Sequence, residues 1–281
     1  MPLNITMPAV SRTKLVVFDW AGTTVDFGSC APARAFQNVF ADRGITISSD
    51  VARGPMGTNK RDHLIEILSS PNVAMTWQKR FGRDWQVSDV DELYHAFIDI
   101  QLKTIAETTI LVPGLLETIK QLNERGIHVA GTTGYFRAAA EAVRTRAQAA
   151  GFSVEFNVCA DDVPEGRPAP WMIYRVMEHL GVYPAAHVIN IGDTVADIRA
   201  GLAAGCWSIG VCDSSSETGL SPAEFNALGE DEKSKRIEAS ANVFREAGCH
   251  AILRTISDLP RLIDSIDSQS DRTPIRLAGW C

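Results

Sequence analysis

The stretch Lys14-Leu-Val-Val-Phe-Asp19-Trp-Ala-Gly-Thr-Thr24 constrains the fold more than any other part of the chain. Four apolar residues run without a polar break into an aspartate, and small residues follow at once. An unbroken apolar run of this length predicts a strand buried on both faces, as in a parallel sheet. In such sheets ligands sit beyond the carboxyl ends of the strands. Asp19 is therefore expected at the mouth of the sheet, with the backbone of residues 21–24 curling around whatever it holds. A helix-capping aspartate would stand at the same place in a sequence, so this stretch alone leaves both readings open.

After this strand the pattern changes. Residues 31 to about 107 carry apolar side chains at helical spacing and no buried strand. The periodicity predicts helices over Ala31–Arg43 (stopped by Gly44), Lys60–Ser69 (ended by Pro71) and Asn72–Phe81. A longer helix is predicted to start at Ser88 with Asp91 and run through Tyr94, Phe97, Ile100 and Ile105. The region 31–107 reads as a helical cap inserted after the first strand, with 1–30 and 108–281 forming an α/β core domain.

In that core, strands are expected at Ile127–Gly131, Phe156–Cys159, His187–Ile191 and Ser208–Val211. Helices Leu115–Arg125, Ala138–Ala150, Trp171–Leu180 and one ending at Ala204 separate them. Strands joined by helices of this length imply right-handed crossovers and a doubly wound, Rossmann-like parallel sheet. Residues 221–267 read as helical around a short apolar run, Ala251–Leu253. Residues 268–281 read as a frayed tail in which Trp280 could dock.

The formal net charge of -7 and the absence of any Lys/Arg-rich block argue against a nucleic-acid surface. The six cysteines (30, 159, 206, 212, 249 and 281) show no CxxC pair and no zinc-like spacing, as expected of reduced, buried thiols. Residues Met1–Met7 lack the basic region and apolar core of a secretory signal, and no apolar run is long enough to cross a bilayer. The expectation is a soluble, cytoplasmic protein with no membrane contact.

Further polar residues fall at predicted strand ends. Thr133 follows the second core strand, Arg167 lies in Pro164-Glu-Gly-Arg-Pro168, and Asp193 and Asp197 follow the fourth. Each alone has an ordinary explanation as a cap or a dipole partner. Together they make a complete phosphoryl-transfer site. Asp19 and Asp193 could share a hard cation such as Mg²⁺, while Thr133 and Arg167 hold phosphoryl oxygens. Asp19 is then free to attack phosphorus and form an aspartyl phosphate.

Asp19, Thr133, Arg167 and Gly192-Asp193-x-x-x-Asp197 resemble the four ordered motifs of the haloacid dehalogenase superfamily, with 31–107 in the place of its helical cap. The resemblance sharpens toward the members that cleave a carbon–phosphorus bond. It rests on Phe18-Asp-Trp-Ala-Gly-Thr-Thr-Val-Asp26, Pro55-Met-Gly-Thr-Asn-Lys60-Arg-Asp-His63, Thr132-Thr-Gly-Tyr135, Asp161-Asp-Val-Pro-Glu-Gly-Arg-Pro168 and Gly192-Asp-Thr-Val-Ala-Asp197. It covers roughly 14–265. It implies hydrolysis of phosphonoacetaldehyde to acetaldehyde and phosphate with Mg²⁺, usually in a homodimer. It also implies a backbone metal ligand at Ala21 and substrate contacts at Met56, Gly134 and Tyr135.

Two residues make chemical sense of that expectation. Phosphatases of the superfamily usually carry an aspartate two positions after the nucleophile to protonate a departing alkoxide; this chain has Ala21 there. A carbon leaving group needs an electron sink instead. Lys60, condensed with an aldehyde, would supply one as an iminium. Its amine must be neutral to condense, so burial and the neighbouring Arg61 are expected to lower its pKa. His63, one turn along the same helix, could relay protons.

Asp197 is expected to orient a lysine or backbone near the metal. Asp26 has no role that the sequence reveals. Ser29 stands where the family often has a cysteine, and Thr58-Asn59 are expected to make the pocket more polar. The rivals are a phosphate-monoester phosphatase or phosphosugar mutase on the same scaffold, a metal-free dehalogenase, and a non-catalytic phosphonate-binding protein.

Overall fold

The computed structural model describes residues 12–269, 273–277 and 279–280, and only the backbone of 106 and 107. Leu15–Phe18 form β1, buried along its whole length. Alternation decides its contacts: Val16 and Phe18 enter one apolar cluster, and Leu15 and Val17 the cluster on the opposite face. A strand with both faces covered has no solvent side, which is why its sequence shows no polar alternation.

Five helices follow before the next strand: α1 (Cys30–Ala41), α2 (Ser49–Arg53), α3 (Lys60–Ser69), α4 (Pro71–Phe81) and α5 (Val87–Thr108). α1 and α3 pack on α5, with α2 and α4 beside them. Phe36, Phe40, Leu64, Trp77, Leu93 and Phe97 are buried between them. α2 was not expected from the sequence; a five-residue helix gives no periodic signal, and only the cap at Ser48, whose side chain accepts from the Val51 N–H, marks its start. α5 begins at a Gln86/Asp89 capping box and not at Ser88 with Asp91. Asp91 is drawn instead to Arg61, at 2.8 Å.

The alternating part then runs α6 (Leu115–Glu124), β2 (His128–Thr133), α7 (Arg137–Ala149), β3 (Phe156–Cys159), α8 (Trp171–Leu180), β4 (Val188–Gly192), α9 (Val195–Ala204) and β5 (Trp207–Val211). After β5 come α10 (Pro222–Ala227), α11 (Glu230–Ala247), β6 (Ala251–Leu253) and α12 (Leu259–Asp267). The six strands are all parallel, in the order β3-β2-β1-β4-β5-β6. The chain turns to opposite sides of β1, so the crevice between the ends of β1 and β4 is the switch point where such sheets bind ligands.

The apolar run Ala251–Leu253 is thus an edge strand. The tail does not fray where it is described: Leu277 donates its N–H to the His250 carbonyl, and the Trp280 carbonyl accepts from Ile252. This covers the edge of β6, and the Arg261 guanidinium lies 4.9 Å from the Trp280 ring. Cys30, Cys159, Cys206, Cys212 and Cys249 are buried free thiols; Cys281 and residues 1–11 lie outside the described residues. No described helix is long and apolar enough to cross a membrane.

Candidate active site

The ends of β1, β2 and β4 build the floor of the site. Asp19 donates its backbone N–H to the Ile191 carbonyl at 3.0 Å, tying the end of β1 to that of β4. The turn after it is closed by Thr24, whose hydroxyl donates to the carbonyls of Asp19 and Trp20. Gly22 has φ +90°, and a Cβ there would lie 2.1 Å from Asp193 Oδ2. Only glycine allows this turn and the close approach of the carboxylate. Asp193 is fully buried; its Oδ2 accepts from the Ser216 N–H at 2.8 Å.

Arg167 ties the acids together. One guanidinium nitrogen lies 2.6 Å from Asp19 Oδ1 and 2.6 Å from Asp197 Oδ1, and the other donates to the Thr132 carbonyl and hydroxyl at 2.8 Å. Its contact with Asp197 is a charge pair without hydrogen-bond alignment, which leaves that Oδ1 without a hydrogen-bond partner. Asp197 Oδ2 is held by Thr194 in a capping box at the start of α9. Asp197 therefore holds the Thr194 backbone N–H, as the backbone half of the expectation has it, and pairs with Arg167 in place of a lysine. The buried Thr133 hydroxyl accepts from the Tyr135 N–H at 3.2 Å.

Asp19, Asp193 and Asp197 each place a carboxylate oxygen within 4.8 Å of the others. One guanidinium cannot neutralise three buried acids. Burial pushes Asp193 well above the usual carboxylate range, and Asp19 and Asp197 add to it. Burial likewise raises Asp197 to about 7, against the pull of Arg167. This excess of hard oxygen donors fits a divalent cation, which would reverse those shifts. Ala21, beside them in the cavity wall, has only backbone to offer.

The roof is different in kind. Lys60 opens α3, whose N-cap Asn59 accepts from the Asp62 N–H at 2.9 Å. The side chain is 5% exposed, with Nζ 5.8 Å from the Phe36 ring centroid and 5.3 Å from that of Tyr135. Burial lowers its pKa to about 8, against the opposing pull of Asp19, while Arg167 lowers it further. Arg61, expected to supply that charge, is turned away to Asp91.

His63 is fully buried and stacks on Phe36 at 3.8 Å. Its Nε2 lies 3.0 Å from the Ala52 carbonyl and donates to it, while Nδ1 has no hydrogen-bond partner among the described residues. Burial, and then the charge of Lys60, hold its pKa well below the ordinary value, so the ring is neutral.

Roof and floor meet with no space to spare. A Cβ on Gly57 (φ +86°) would lie 2.2 Å from the Thr194 hydroxyl oxygen, and one on Gly134 would lie 2.5 Å from the Thr58 carbonyl. Asp19, Ala21, Met56, Lys60, Thr133, Gly134, Tyr135, Arg167 and Asp193 line one cavity of about 20 Å³, room for about one water. His63 and Asp197 stand behind this wall.

Ser29, with φ 45°, also lines the cavity. Asp26 gains a role: its carboxylate accepts from the N–H groups of Cys30 and Ala31 and caps α1. Thr58 and Asn59 do not line this cavity: Thr58 donates to the Pro55 carbonyl and Asn59 caps α3.

Comparison with known proteins agrees with this geometry. Residues 13–205 match the model of the haloacid dehalogenase-like hydrolases. A phosphonoacetaldehyde hydrolase of Hahella chejuensis is 43% identical over 252 residues, 90% of this chain and 86% of the relative. One of Syntrophobacter fumaroxidans is 42% identical over 260 residues, 92% of this chain and 94% of the relative. The crystal structure of a phosphonoacetaldehyde hydrolase-like protein from Oleispira antarctica superposes with TM-score 0.90 at 33% identity, covering 95% of this chain and 97% of that one. A hydrolase from Pseudomonas syringae, at TM-score 0.62 and 16% identity over 90% of this chain and 99% of that one, shares the fold. The chain belongs to the haloacid dehalogenase-like hydrolases and, within them, to the family of the phosphonoacetaldehyde hydrolases.

Proposed function

We infer that this enzyme hydrolyses the carbon–phosphorus bond of phosphonoacetaldehyde to acetaldehyde and phosphate. The observation that carries the mechanism is Lys60, a buried amine with a pKa lowered to about 8, in the cavity that Asp19 and Asp193 line. At an unperturbed lysine pKa only ~0.1% of the amine would be neutral near pH 7.4; at about 8 the fraction is roughly a fifth.

Neutral Lys60 adds to the aldehyde carbon, water leaves, and a protonated imine forms. An Asp19 oxygen attacks phosphorus as the C–P bond breaks, and that electron pair passes into the imine to give a neutral enamine. Protonation at carbon and hydrolysis of the imine release acetaldehyde and regenerate Lys60. Water then hydrolyses the aspartyl phosphate. Arg167 and Thr133 hold phosphoryl oxygens through these steps. His63, on the same helix as Lys60 and kept neutral by burial and by the charge of Lys60, would relay protons only through its unpaired Nδ1. Asp19, Asp193 and the Ala21 carbonyl would hold Mg²⁺, which supplies charge neutralisation for the phosphoryl group.

In this mechanism residues 31–107 act as a cap over a core of 1–30 and 108–281. A cavity of about 20 Å³ cannot take the substrate, so the two parts separate to admit it. A cytoplasmic homodimer is part of the same proposal. A phosphate-monoester phosphatase or phosphosugar mutase would need an acid where Ala21 stands, and its absence disfavours both.

Borohydride trapping tests the mechanism. Treatment with phosphonoacetaldehyde and borohydride should inactivate the enzyme and leave a two-carbon adduct on Lys60 by mass spectrometry. Lys60→Arg should abolish the adduct and C–P cleavage, because a guanidinium stays protonated and cannot condense. An adduct on another lysine, or full turnover by Lys60→Arg, would overturn it.

A further inference from the structure

One arginine outside the reacting centre bridges three segments around the cavity. Arg53 ends α2 and is half-buried. One nitrogen of its guanidinium donates to the carbonyls of Gly28 at 2.6 Å, Ser216 at 3.3 Å and Ser29 at 3.4 Å. The other donates to the Gly219 carbonyl at 3.2 Å and lies 3.7 Å from Cys30 Sγ. A single side chain thus joins α2 to the loop after β1 and to the loop after β5.

Both joined loops lead into the site. Ser216, whose carbonyl Arg53 binds, gives its N–H to Asp193 Oδ2 at 2.8 Å. Ser214 donates its hydroxyl to the Gly22 carbonyl, and its own carbonyl accepts from Gly28. On the other side, the Arg53 carbonyl accepts from the Met56 N–H at 3.0 Å. The segment beginning there carries Met56, Gly57 and Lys60 into the cavity wall.

We propose that Arg53 is a positioning residue: a clasp that seats the Met56–Lys60 segment over the site and, through Ser216, fixes the carboxylate of Asp193. Its planar fork matches this task, because it spans carbonyls on two loops in fixed directions. These contacts are half-buried, so water can replace them when Arg53 is removed. The loss therefore falls on alignment more than on folding.

The activity arm of the test rests on the function proposed above; the exchange arm needs no substrate and stands apart from it. In Arg53→Ala, amides of 54–63 and 214–219 should exchange with deuterium roughly tenfold faster or more, with β4 unchanged. Turnover of phosphonoacetaldehyde should fall about 10- to 100-fold, the scale of a misplacement near 1 Å. The Mg²⁺ concentration for half-maximal rate should rise. Arg53→Lys should recover little, since one ammonium cannot span both loops, and millimolar guanidinium should restore part of the rate of Arg53→Ala alone.

Unchanged exchange in both segments would overturn the clasp, as would turnover within about twofold of the unmodified enzyme. A rate loss accompanied by global unfolding, without guanidinium rescue, would reduce Arg53 to an ordinary structural contact and equally overturn it. If no variant and no unmodified enzyme turns over phosphonoacetaldehyde, the functional reading fails while the exchange arm still decides the clasp.

Discussion

Burial disfavours charge on both the floor and the roof of the cavity, and the two regions differ in what offsets it. On the floor, acids at strand ends are paired with Arg167, capped by Thr194 or held by the Ser216 N–H, and the remaining negative charge fits a cation. On the roof, Lys60 and His63 sit against Phe36, with the Tyr135 ring beside Lys60, and burial lowers both pKa values, leaving His63 neutral and Lys60 partly so. On the floor a bound cation would restore the ionised state that burial opposes at Asp193 and Asp197, whereas on the roof burial leaves part of the Lys60 amine neutral, as reaction with a carbonyl requires. In the proposed mechanism, two half-reactions with different electrostatic needs would thus meet across a seam where Gly57 and Gly134 leave no room for a methyl group.

That separation can be broken first at Asp19. Asp19→Asn should lower turnover by roughly 10⁴-fold or more, the scale for losing a nucleophile. Imine trapping on Lys60 should persist, because the roof reaction needs only the amine and the aldehyde. Loss of the adduct together with turnover would mean that roof and floor are not chemically separable.

A smaller effect comes from pH. Lys60 reacts only when neutral and has a pKa of about 8. The rate limb it governs should fall about tenfold per pH unit below that value and level off above it. A limb near 10 would show that the amine is not desolvated.

The smallest effect is on stability. A lysine whose folded pKa is depressed from 10.5 to about 8 destabilises the fold at every pH below about 8. The penalty is removed as pH rises toward 10.5, because only the unfolded chain then still binds the proton. Lys60→Met should therefore be more stable at neutral pH, by up to about 3 kcal/mol. Its unfolding free energy should also lose the rise between pH 8 and 10.5. A denaturation series over that window checks both, and an unchanged rise would contradict a charge held down by burial.

The floor was the more legible region. Its residues sit at the ends of strands whose apolar runs are continuous, so position in the sequence gives position in the sheet. Asp19, Thr133 and Asp193 are placed this way, Arg167 by the loop 164–168 that the resemblance singles out, and all four line the cavity. The roof was legible mainly through resemblance, since a lysine at a helix start is otherwise unremarkable. Arg53 was missed altogether: it binds backbone carbonyls, and carbonyls carry no residue-type signal.

The sequence by itself determined the parallel sheet, the helical stretch after β1 and the residue types that meet at the switch point. Hydrophobic periodicity and strand-end chemistry are local properties, written in consecutive residues. Tertiary structure alone decided that Asp197 orients Arg167, that Arg61 turns to Asp91, and that Asp26 caps α1. It also decided how far Lys60 is desolvated and that the tail covers β6. Such outcomes depend on which distant groups compete for the same partner and on how much water remains, and no stretch of neighbouring residues encodes either.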